Sequence, residues 1–178
     1  DLAPAADRLA DHRAAQGISA KVLLWDEVVD AFGEGVPSPD AMANLVRSAS
    51  ESPTPPRWLL VFGDASHDPK ELLSTDEPSG NRIPTFLDDA ADLMESPSDN
   101  GFVAASPRSR PELPVGRIPA ATLAEADAVV DKLLAYDTAP LPAYSSKVVL
   151  AADNGVESWE VDLFEQTSET VASILPPP

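Results

Sequence analysis

The sequence predicts an α/β protein, a three-layer α/β/α sandwich around a mainly parallel sheet. Three observations carry this. Apolar runs of strand length, Trp58–Phe62 and Lys147–Ala152 foremost, lack the alternation of a half-exposed strand, as expected for strands covered on both faces. These runs alternate with segments that carry helical spacing and helix-start signals. Finally, 19 prolines and 8 glycines are more punctuation than an all-helical bundle would carry.

Leu2 to Gln16 reads as a helix, with Leu2, Ala6, Leu9 and Ala10 on its apolar side and Gly17 as its stop. Ala20–Trp25 is a short apolar run of strand length. Asp26 to Phe32 reads as a helical turn capped by Asp26, with Val28, Val29 and Phe32 at helical spacing. Ser38 and Pro39 start the next helix, a capping Ser before Pro at the first helical position; it runs to about Ser50. The Pro-rich loop Glu51–Pro56 leads into the Trp58–Phe62 strand. Gly63 to Pro111 is long, polar and irregular, a stretch expected to be functional or to hold small elements of its own. Leu113–Ile118 follows as a strand. Thr122 then caps the clearest helix, which ends near Tyr136 with Val129, Val130, Leu133 and Leu134 on its apolar face. Thr138–Ala143 is a linker by composition. Lys147–Ala152 is a further strand ending at Asp153, and Val161–Leu175 is a helix stopped by three prolines. The strands near 20–25, 57–62, 113–118 and 147–152 are expected to share one sheet.

Composition narrows the function. The 178 residues suffice for one domain with a real core, or one domain plus part of another. A net charge of −18 repels nucleic acid and anionic membranes, because binding phosphates needs Lys and Arg to release counterions. It suits a secreted protein or one that collects cations. Without cysteine there is no disulfide, thiolate metal site or thiol nucleophile in these residues. No apolar run approaches the ~20 residues that span a bilayer. Neither G-x-G-x-x-G nor G-x-x-x-x-G-K-[ST] occurs, so no glycine-rich phosphate cradle is present.

An ordered set of short motifs runs along nearly the whole chain. It comprises Gln16-Gly17, the Ala20–Trp25 run, Ser38-Pro39, Phe62-Gly63-Asp64, Ser98-Asp99, Val115-Gly116-Arg117, Tyr136-Asp137 and Leu150 to Asp153. In this order and spacing the set resembles the first half of the catalytic domain of gingipain-type cysteine peptidases. The resemblance implies two Rossmann-like, caspase-like α/β halves, with the catalytic Cys and His in the second. Residues 1–142 would then be the first, non-catalytic subdomain, and 143–178 the truncated start of the second, catalytic one. It also implies a bacterial, secreted or cell-surface parent endopeptidase that reaches its protein or peptide substrate through the missing half. This segment alone would support that half and be inactive. The truncated subdomain, with an apolar strand and helix in need of cover, would favour a homodimer. The alternative is a stand-alone α/β module that holds calcium or a partner protein without catalysis. A Gly-His-Gly and a Cys further along the parent gene would decide for the enzyme.

The candidate site residues follow from strand ends. Asp64 leaves the carboxyl end of a strand, where α/β proteins build their sites. Asp64, Asp68 and Asp99 form the candidate metal cluster, because carboxylates with nearby carbonyl, Ser or Asn oxygens suit calcium, and the resemblance favours that ion. The competing reading is that Asp64 and Asp68 cap turns. Asp153, or Asn154 beside it, matches an acid that in the family lies near the catalytic His, and would orient an imidazole; the other reading is a strand-end turn. Arg117 is expected in a structural ion pair, with Asp64 or Asp99 as partner. Ser66-His67-Asp68 is no triad, since three consecutive side chains cannot align as one needs. His12 is read as a surface residue.

Overall fold

The computed structural model describes residues 1–66, 68, 72, 81–90, 94–104, 110–140, 147–152 and 163–175. They divide into two compact units, Asp1–Asp137 and Thr138–Pro178. In the first unit, helix α1 (Ala3–Ala15) carries Pro in its first turn and ends on Gly17 at φ +82°. The Gly17 N–H returns to the Ala14 carbonyl and that of Ile18 to Arg13, each at 2.9 Å. This stop needs a left-handed residue, which glycine supplies without strain. Helices α2 (Trp25–Phe32) and α3 (Pro39–Ser50) follow. Strand β1 (Leu59–Phe62) then pairs in parallel with β4 (Val115–Ile118), with Leu59 opposite Val115 and Phe62 opposite Ile118. Between them lie the antiparallel hairpin of β2 (Phe86–Ala90) and β3 (Met94–Ser98) and a 3-10 turn, Asp99–Phe102. Helix α4 (Leu123–Thr138) closes the unit.

Successive residues of the parallel pair point to opposite faces, and each face has its own core. Phe62 and Ile118 pack with Leu2, Ala5 and Leu9 of α1 and with Ala126 and Val130 of α4. Leu59, Val61 and Val115 pack with Met42 and Val46 of α3, with Trp25, and with Phe102 and Val103. The sheet is thus sandwiched between helical layers, an α/β fold with a parallel sheet. Phe102, Val61 and Val130 are the largest fully buried side chains, and each contributes about 1.5–3 kcal/mol by leaving water.

Helix starts show how the sequence sets these elements. Thr122 and Glu125 form a reciprocal cap on α4: the Glu125 N–H donates to Thr122 Oγ1 (3.3 Å), and the Thr122 N–H to Glu125 Oε2 (3.1 Å). The Ala121 N–H adds a second bond to Oε2 at 2.8 Å, and these backbone donors hold the Glu125 carboxyl below its ordinary value. Pro39 sits in the first turn of α3, but the expected Ser38 cap is absent; its side chain makes no capping bond. At α2 the cap is Glu27, which reaches back to the Leu24 N–H, rather than Asp26, and the helix starts one residue earlier at Trp25.

Three strand expectations need correction. Ala20–Trp25 forms no strand. Trp25 instead begins α2 and packs on the second core, while Leu23 and Leu24 stay 40% and 44% exposed. β1 is not covered throughout: Leu60 is 46% exposed, and among the described residues β1 has one partner strand. Lys147–Ala152 makes no ladder either. Within the second unit no described strand lies beside it, and Val148, Val149 and Leu150 are 65%, 87% and 41% exposed. That unit's helix α5 (Leu163–Ile174) buries none of its residues. Asp153, and the first two residues of the helix expected from Val161, lie outside the described residues.

Candidate functional site at the strand exits

The chain leaves β1 and β4 side by side, and their exits are laced together. The Gly63 N–H donates to the Ile118 carbonyl (3.0 Å) and the Asp64 N–H to that of Ala120 (3.2 Å). The Asp64 carbonyl accepts from the N–H groups of Arg82 (2.9 Å) and Ile83 (3.1 Å). Gly63 is required there: its φ is +143°, and a Cβ would stand 2.8 Å from Cβ of Arg82. Arg82 crosses to the other exit and donates through Nε (3.0 Å) and Nη2 (2.6 Å) to the Ala121 carbonyl.

Arg117 is the hub. Its Nε and Nη2 donate to the two Asp99 carboxylate oxygens at 2.8 and 2.7 Å, a bidentate pair. Its Nη1 donates to the carbonyls of Gly63 (2.7 Å) and Ile83 (3.0 Å). Thr85 Oγ1 donates to the same carboxylate at 2.7 Å. Both charged side chains are well sheltered, at 13% and 20% exposure. Burial pushes the Asp99 carboxyl up, but the bonds from Arg117 and Thr85 outweigh it, and the group titrates below its ordinary value.

Of the three acids proposed as a metal cluster, Asp64 and Asp68 brace nearby backbone, and Asp99 pairs across the fold. Asp64 Oδ1 accepts the Ala65 N–H (2.8 Å). Asp68 is 7% exposed; its Oδ1 accepts the Leu72 N–H (2.9 Å) and its own N–H donates to Ser66 Oγ (3.0 Å). Asp99 is spent on a guanidinium, whose positive charge opposes a cation at the same oxygens. Among the described residues no three His, Asp or Glu side chains are grouped to hold a metal ion. Sequence reasoning did not find Arg82 or Thr85, since a lone Arg or Thr in a polar loop carries no signal. His67 lies outside the described residues.

A second polar cluster joins α1 to α4. Arg13 pairs with Asp137, and His12 Nε2 lies 3.0 Å from the same Oδ2. Two turns back, Arg8 bridges Asp127 (2.5 Å) and Asp131.

The strand-exit lacing holds main chain in place, and the fold around it is an α/β one with a parallel sheet, consistent with a caspase-like plan. The model of peptidase family C25 matches residues 1–177, and the chain belongs to that family. Among solved structures it is similar to dimeric latent PorU from Porphyromonas gingivalis, with a TM-score of 0.62 and 26% identity. That match takes in 76% of this chain and 14% of the PorU chain. No curated protein matches the chain.

Proposed function

We propose that this chain is the non-catalytic part of a secreted or surface cysteine endopeptidase. In this reading it supports a catalytic half that supplies the Cys and His. One observation carries it: a chain matched over residues 1–177 by a cysteine-peptidase family contains no cysteine at all. A thiolate nucleophile cannot come from these residues. What they offer is a two-sided core and a hydrogen-bonded collar at the strand exits, which fits a rigid support for chemistry performed elsewhere. Val148–Leu150 and the exposed apolar residues of α5 fit the same role, as surface to be covered by further chain or by a second copy. The acidic surface accords with an exported protein.

Peptide cleavage tests the proposal. The chain alone is expected to release no product above a buffer control from a broad peptide library. Cleavage should appear when it is produced together with a half that carries Cys and His. Reproducible cleavage by the chain alone, surviving repurification, would overturn the reading.

A further inference from the structure

Two motifs singled out in the sequence, Gln16-Gly17 and Tyr136-Asp137, find no use in the strand-exit collar. The structure brings them together. Arg13 Nη1 donates to Gln16 Oε1 at 2.8 Å and also to the Asp137 carboxylate, 124 residues away. His12 Nε2 lies 3.0 Å from Asp137 Oδ2 and 3.1 Å from Gln16 Nε2. A single imidazole nitrogen cannot donate to the carboxylate and accept from the amide together. The carboxylate is the stronger partner, so Nε2 carries a proton and donates to Asp137. Two donors from α1 thus converge on one carboxylate in the last turn of α4. Asp137 is also the last residue of the first unit.

We propose that His12, Arg13 and Gln16 form a clasp on Asp137 that fixes the last turn of α4 to the end of α1. Helix ends fray unless tied down, and the last turn of α4 has no basic residue to quiet its carbonyl dipole. The clasp brings a cation, Arg13, from α1. Its ion pair is Arg13 on α1 with Asp137 on α4, and the His12 imidazole is the titratable group beside it; Arg8, Asp127 and Asp131 form a separate bridge nearer the middle of α4. Burial pushes the Asp137 carboxyl up, but the bonds from Arg13 and His12 outweigh it and hold it below its ordinary value. The clasp therefore stays shut at neutral and mildly acidic pH and opens only as pH falls through that lowered value.

Hydrogen exchange on the 178-residue chain, corrected for intrinsic rates, tests this. Asp137→Asn should speed exchange at residues 134–140 by about tenfold or more while leaving 123–130 unchanged. Arg13→Gln, made on the other helix, should loosen the same stretch, and Arg8→Gln should not. If both clasp variants leave 134–140 protected, or if loosening spreads evenly along α4, the clasp does not exist as described.

Discussion

In the first unit α4 turns Ala126 and Val130 into a core that leaves neither exposed; in the second, α5 leaves Leu163, Phe164 and Ile174 at 59%, 65% and 76%. Both helices are apolar on one side and of similar length, Leu123–Thr138 against Leu163–Ile174. The difference is what stands opposite. α4 has a paired sheet and α1 to pack against, and it starts on the Thr122–Glu125 cap. Among the described residues of its unit, α5 faces Ala151 and Ala152 across a shallow pocket. Helical stability in proteins comes mainly from packing, so two helices that each carry apolar residues can differ this much in burial.

The largest effect should come from Phe102→Ala. Its side chain is 1% exposed and meets the Phe86 ring at 5.8 Å, so truncation should cost about 3–5 kcal/mol in urea unfolding. Phe164→Ala should change stability by less than about 0.5 kcal/mol yet weaken self-association seen by light scattering. Similar losses at both positions would erase the contrast between the units.

Next comes Arg117→Met, which leaves Asp99 half buried without its cation. We expect a loss of about 2–3 kcal/mol, below the full value for a deeply buried pair because the carboxylate keeps some solvent access. The sign with pH is fixed. Asp99 titrates lower in the folded chain, so its contribution is present above the unfolded carboxylate value, about 3.9, and lost as pH falls through the folded one. Unfolding curves of the parent and Arg117→Met should therefore converge in acid. A pH-independent gap would mean that the carbonyl clamps matter more than the ion pair.

The smallest effect is the response to cations. With Asp64 and Asp68 bonded to nearby backbone and Asp99 to Arg117, calcium and magnesium should raise Tm equally and slightly, through screening of the −18 charge. A calcium-selective shift removed by Asp64→Ala would restore a metal role for the strand exits.

Three helices of the first unit were legible because each carries its own punctuation: Gly17 for α1, Pro39 for α3 and Thr122 for α4. The parallel pairing of β1 and β4 was legible as two apolar runs that share a sheet. The strand at Ala20–Trp25 was misread because an apolar run of that length does not say whether its last residue begins a helix, and Trp25 does. The run at 147–152 fits a strand in every local respect and still makes no ladder, since pairing is a property of neighbours that local sequence does not contain. At the site, Asp64 and Asp99 drew notice as acids near strand ends. Nothing in the sequence distinguishes a carboxylate awaiting a metal from one already held by Arg117, because that depends on contacts spanning 18 to 54 residues.

Those spans also bear on the order in which the chain folds. The β2–β3 hairpin and the helices close small loops, whereas Arg117 joins Gly63, Ile83 and Asp99 across separations of 54, 34 and 18 residues. Closing the longest of these costs the most chain entropy and is rewarded only once the segments are already in place. We expect the hub to form after the rate-limiting barrier and to act on how slowly the native state comes apart. Weakening it should steepen escape from the folded basin while leaving the speed of entry nearly untouched.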